Sequence, residues 1–206
     1  MAALDLKKTW PHLYAPSPKA ATLVQVPSFP CLMFDGVGDP NTTPTYPIAI
    51  QTLYTLAYTL KFALKREQGR DYAVMPLEGL WWAEDMTQFH TDQRENWRWT
   101  MLIVQPDEVT AERFAAACTT AAKKLDAATI AQVRLEIYTE GLSAQILHRG
   151  PYTAEAPTIA ALHTFIEAQG YLRAGKHHEI YLKNPQRTRP EQLLTVLRQP
   201  ISLKPE

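Results

Sequence analysis

The sequence predicts an α+β fold made by internal duplication, with a mostly antiparallel sheet and its helices on one side. One pattern carries most of this. Strand, glycine turn, proline-started helix, glycine and strand occur at residues 24–34, Gly36, Pro47, Gly69 and 74–82; they recur at 143–149, Gly150, Pro157, Gly170 and 177–182. The period is far too long for a solenoid. Consecutive strands joined by hairpins or single helices favour antiparallel pairing. Finally, 206 residues with 46% hydrophobic and 20% charged side chains supply a core for one large domain, or two halves sharing one.

Residues 7–19 hold three prolines and little periodicity, so 1–20 reads as an extended lead-in to a single domain at 21–206, duplicated as 21–125 and 126–206. Alternating apolar residues over 21–34 predict a first strand, closed by a sharp turn at Gly36-Val37-Gly38. Pro47 suits the opening turn of a helix that runs to about Arg66 and stops before Gly69. Its apolar residues circle nearly the whole circumference, with Tyr54 and Tyr58 on one face, so it is buried or lines a cavity.

Strands are predicted at 72–82 and 97–104, joined by an acidic and polar segment. Thr110 caps an amphipathic helix, with Glu112 near the positive end of its dipole. Strands at 133–138 and 143–149 meet at a Glu140-Gly141 turn; a helix at 157–169 and a strand at 177–182 follow. Pro190 predicts a short final helix to Arg198.

Twenty-one basic and 21 acidic side chains give no net charge, whereas a protein that neutralises phosphates carries a basic surplus; nucleic acid is not an expected partner. Cys31 and Cys118 have no metal-type spacing and read as buried thiols. The N-terminus lacks the apolar core of a signal peptide, and no stretch approaches the ~20 apolar residues of a membrane span. A cytoplasmic protein is expected.

The chemistry concentrates in two places. Trp81 and Trp82 lie on one predicted strand, Trp97 and Trp99 on the next. Adjacent strand residues point oppositely, so one of Trp81 and Trp82 enters a given pocket. Either these rings build the core or they line a binding site where each indole N–H finds a partner. The second place is His177-His178-Glu179-Ile180-Tyr181-Leu182. Alternation puts His177, Glu179 and Tyr181 on one face; if Ile180 and Leu182 meet the helices, Glu179 and Tyr181 look across the sheet. Glu136-Ile137-Tyr138 repeats the Glu-x-Tyr spacing. Neighbouring histidines point apart and cannot chelate one ion together, so no metal is expected. No G-x-S-x-G elbow is present, and Gly36-Val37-Gly38 is too short for a phosphate-binding fingerprint. No cofactor is expected.

Residues 29–38, Leu77-Glu78-Gly79-Leu80-Trp81-Trp82, Leu147-His148-Arg149-Gly150-Pro151-Tyr152 and the 177–182 segment together resemble the GyrI-like small-molecule-binding proteins, over about 21–200. The resemblance implies a pseudo-two-fold pair of βαββ units with a ligand cleft between them. It implies bulky aromatic, often cationic ligands, with Glu179 at the position of the family's counter-charge. Stand-alone members are similar to enzymes that hydrolyse cyclopropane-bearing alkylating natural products, and regulators with this domain carry a DNA-binding helix pair ahead of it, which the short lead-in does not accommodate.

A carboxylate among aromatic rings is poorly hydrated and gains from a ligand cation, while the rings add cation–π attraction. Desolvation also raises its pKa, fitting it to act as an acid or to position water. The expected catalytic residues are Glu179, Tyr181 and Tyr138. The expected ligand-contacting residues are Trp81, Trp82, Phe34, Tyr54, Tyr152 and Glu179. Three functions remain open: cofactor-independent hydrolysis, non-catalytic drug sequestration, and a protein-interaction module inhibiting a topoisomerase. The oligomeric state stays open.

Overall fold

The computed structural model describes residues 3–84 and 94–204. Over them the chain runs α1 (Leu6–Thr9), α2 (Pro11–Tyr14), β1 (Thr22–Val26), β2 (Phe29–Val37), α3 (Thr45–Gln68), β3 (Glu78–Trp82), β4 (Arg98–Val104), α4 (Ala111–Ala121), α5 (Ala127–Ile130), β5 (Val133–Tyr138), β6 (Gly141–Arg149), α6 (Ala156–Ala168), β7 (Tyr171–Arg173), β8 (His177–Tyr181) and β9 (Leu194–Leu203). The α+β class is the predicted one. The chain forms two compact units, and the ladders within each are antiparallel.

The first unit holds Phe29–Tyr138 with the N-terminal residues up to Leu6. Its strands lie in the order β3-β4-β2-β5. Helix α3 buries one stripe, Ala49, Leu53, Leu56, Ala57, Leu60 and Leu64, and leaves Ile48, Tyr58 and Phe62 exposed. The all-round apolar pattern is therefore split between a core face and an aromatic ladder that runs from half-buried Tyr54 to exposed Tyr58 and Phe62. The helix ends at Gly69, whose φ of 64° is the left-handed cap conformation that glycine adopts without steric cost. Thr110 caps α4 as predicted, its side chain accepting from Arg113 N.

Gly36 is not part of the turn. It lies inside β2 opposite Trp99, and a Cβ there would sit 2.1 Å from the Trp99 ring. The turn glycine is Gly38, at φ 98°. The predicted strand at 72–82 shrinks to Glu78–Trp82; Tyr72 instead bridges Leu4 in parallel.

The second unit holds Lys7–Ser28 and Thr139–Glu206, with strand order β1-β6-β9-β8 and β7 on the far end of β9. Residues 7–20, read as extended, include two one-turn helices and bury Leu13 and Tyr14. The predicted strand at 21–34 is two strands, divided at Pro27-Ser28 and shared between the units. The predicted last helix is one 3-10 turn at Pro190–Gln192 followed by β9. The run Leu194-Thr195-Val196-Leu197 suits a strand with both faces covered, and pairing with β6 and β8 outweighs the local helix signal.

Helix α6 packs Leu162 and Ile166 against Ala144, Ile146, Leu197 and Ile201. On the opposite sheet face Glu140 is buried, with Oε1 2.9 Å from His178 Nδ1 and Oε2 accepting from Arg198 Nη1 at 3.0 Å. Arg198 also donates to Leu13 O and to Gln145 Oε1, tying the N-terminal residues to the sheet. Burial raises the Glu140 pKa, but His178 and Arg198 outweigh it and leave it at about 2.

The two units share one plan. Each has a strand, a helix and then two neighbouring strands (β2-α3-β3-β4 and β6-α6-β8-β9, the second with the short β7 inserted before β8), and β5 and β1 are the corresponding fourth strands. In register, the rows Gly79–Met101–Phe34 and Trp81–Trp99–Gly36 of the first unit correspond to Glu179–Leu197–Ile146 and Tyr181–Thr195–His148 of the second.

Candidate functional site

In the second unit, strand alternation puts His177, Glu179 and Tyr181 on one face of β8. Leu197 is the partner of Glu179 and belongs to the cluster under α6, so this is the helix-covered face. The conditional expectation that Ile180 and Leu182 take the helix side is thereby reversed. His178, on the other face, serves Glu140, so the two histidines do point apart.

Tyr181 donates its hydroxyl to Glu179 Oε2 at 2.8 Å, and His177 Nε2 lies 3.4 Å from Oε1. The Tyr152 ring meets Tyr181 edge to face, with centroids 5.5 Å apart. Tyr152 belongs to a short turn that leads into Glu155, the residue capping α6.

Glu155 is the functional candidate the sequence did not single out. It is 4% exposed. Burial first, then the charge of Glu179, push its pKa up to about 9, while Thr195 lowers it somewhat. Two adjacent carboxyls in a poorly hydrated place cannot both ionise at little cost, so one holds a proton at neutral pH. Glu155 Oε1, Thr195 Oγ1, His148 Nε2 and His177 Nε2 are all buried without a well-formed hydrogen bond. His148 pairs with Thr195 across β6 and β9, and its Nδ1 is 2.9 Å from Thr158 Oγ1 on α6. Unpaired buried polar atoms are rare in a settled core, so these four set this part of the second unit apart as polar.

The first unit has no such acid at the matching row. Trp81 faces the α3 side with Trp99; Tyr46 at the start of α3 contacts both, at 6.0 and 5.2 Å between centroids, and Trp97 adds a T-shaped contact with Trp81. Trp82 is half-buried on the opposite face, opposite Arg98. Tyr54 is half-buried on α3; burial raises its pKa, which the Leu77 backbone partly offsets. Phe34 is fully buried between Met101 and Val133, a core position. Tyr138 ends β5 opposite Phe29, and its neighbour in pattern, Glu136, is exposed and paired with Arg134. The second Glu-x-Tyr therefore lies on the face away from α3.

The same unit also holds a cavity of about 320 Å³ lined by Leu4, Leu64, Tyr72 and Pro106, whose charges are paired as Arg70–Glu108 and Asp71–Lys65. Among the described residues no three His, Cys, Asp or Glu side chains are placed to hold a metal ion, and no helix is long and apolar enough to cross a membrane.

Comparison with known proteins bears on this arrangement. The family model for the GyrI-like small molecule binding domain matches residues 20–202. A conserved Listeria innocua protein is 38% identical, with a TM-score of 0.89 over 97% of this chain and 100% of that one. A second structure from Listeria innocua, described as a hydrolase, is 36% identical, with a TM-score of 0.86 over 98% and 100%. The EcmrR C-terminal domain, at 11% identity and a TM-score of 0.55 over 89% and 98%, shares the fold. No curated protein matches.

Proposed function

Since the chain belongs to the family of GyrI-like small-molecule-binding domains, we propose that its second unit binds bulky aromatic, often cationic molecules and opens cyclopropane rings in some of them by hydrolysis. The observation that carries this reading is the Glu155–Glu179 pair. With the proton held on Glu155, the pair bears one negative charge, which suits a monocation; Tyr152 and Tyr181 supply ring faces beside it.

Two carboxyls held in opposite protonation states also form an acid–base pair. Glu155 donates its proton to the carbonyl oxygen of a dienone fused to a cyclopropane. Glu179 takes a proton from water as the water oxygen bonds to the ring methylene. The strained C–C bond breaks, and its electron pair moves into the conjugated system, leaving a phenol and a primary alcohol. Tyr181 holds Glu179 in orientation throughout. Proton transfer of this kind contributes about 10²–10⁴-fold. The relatives described as hydrolases, at 36% and 35% identity, support a hydrolytic reading over sequestration. This role fits a cytoplasmic protein with no cofactor.

The test is turnover of a cyclopropane-bearing alkylator in ¹⁸O-water, followed by mass spectrometry. We expect one ¹⁸O in the product alcohol, and a rate lowered about 10²-fold or more in Glu155→Gln and in Glu179→Gln. Confirmed binding with no label above the buffer rate would leave sequestration as the function.

A further inference from the structure

We propose that His177 is a positioning residue that keeps the Glu179 carboxylate turned toward the ligand. The inference rests on Glu179 being the counter-charge. Along β8 the carboxylate is bracketed: Tyr181 donates to Oε2, and His177 Nε2 stands 3.4 Å from Oε1. His177 is 4% exposed, and Nε2 has no well-formed hydrogen bond, so Glu179 is the partner a small rotation would complete. A histidine serving only the core would have its nitrogens satisfied.

The groups around His177 fit this role. Behind it, His163 on α6 has Nδ1 3.2 Å from Arg173 Nη1 of β7. A guanidinium only donates, so Nδ1 is the acceptor and His163 is neutral. Burial, then Arg173 and His177, hold the His163 pKa down at about 4, in agreement. His163 therefore does not compete as a cation, and His177 is the ring that addresses Glu179. Without a partner at Oε1, the Glu179 carboxylate would be held by Tyr181 alone and would be free to turn away from the ligand.

The duplication argues that the fold itself does not require this histidine. At the matching positions of β3 and the residue before it the first unit has Leu77, Gly79 and Trp81, and its β3 pairs with β4 as β8 pairs with β9.

The test compares crystal violet, a triaryl cation, with its uncharged leuco form by tryptophan quenching. The proteins are wild type, His177→Phe, His177→Gln and Glu179→Gln, each checked by circular dichroism. His177→Phe should bind crystal violet about tenfold more weakly and leave the leuco form unchanged. His177→Gln, whose amide N–H still donates, should stay within about twofold of wild type. If Glu179→Gln weakens the cation but His177→Phe does not, or if Phe and Gln lose equally, the positioning role is overturned alone. Indifference of crystal violet to Glu179→Gln would overturn the counter-charge reading and this inference together.

Discussion

At Glu155, burial and the neighbouring Glu179 charge act in one direction, and the cost should be measurable as stability. Its pKa rises from 4.5 unfolded to about 9 folded. Between those values the folded state binds the proton more tightly, so the group's contribution to stability falls as pH rises through that window. Glu155→Gln removes the effect. Thermal melts should show the variant more stable than wild type at pH 8, by about 1–3 kcal/mol, with the gap closing toward pH 4.5. Parallel curves at all pH values would mean that Glu155 is not held protonated by the fold. The residue escaped the sequence reading because a glutamate at a helix start ordinarily complements the dipole in solvent. Its burial comes from long-range packing against Thr195 of β9, a strand that the Pro190 helix signal obscured.

Among the elements, β8 was legible because its alternation is local: the faces of His177, Glu179 and Tyr181 follow from a period of two. Thr110 and the Glu140-Gly141 turn were equally local. What could not be read was which face meets a helix, since that depends on β9 and α6 meeting far apart in sequence. Gly36 shows the same limit. Its glycine-rich surroundings read as a turn, whereas the need for glycine comes from the Trp99 ring on β4. Gly36→Ala places a methyl against that ring, and overpacking of this kind costs about 1–3 kcal/mol. Urea unfolding should show a lower midpoint with unchanged slope. A variant as stable as wild type would mean that the ring moves freely. The same change at Gly69, where no atom lies within 4 Å of a Cβ, should cost only the strain of positive φ.

For the whole molecule, the repeated strand, glycine, proline and glycine pattern in the sequence corresponds to two units of one topology, and the informative feature is where they differ. The first unit has Gly79 and Trp81 where the second has Glu179 and Tyr181. The second unit thus carries a carboxylate, a tyrosine and a histidine where the first has a glycine, a tryptophan and a leucine, and this contrast is the one on which the proposed ligand recognition rests.

Cation recognition in the second unit therefore stands on Glu179 acting by its charge. The most direct measurement is the affinity of wild type and Glu179→Gln for crystal violet and its leuco form at neutral pH. We predict that the substitution weakens the cation by about 1–3 kcal/mol and leaves the neutral form unchanged. Equal losses for both, or none for either, would contradict it.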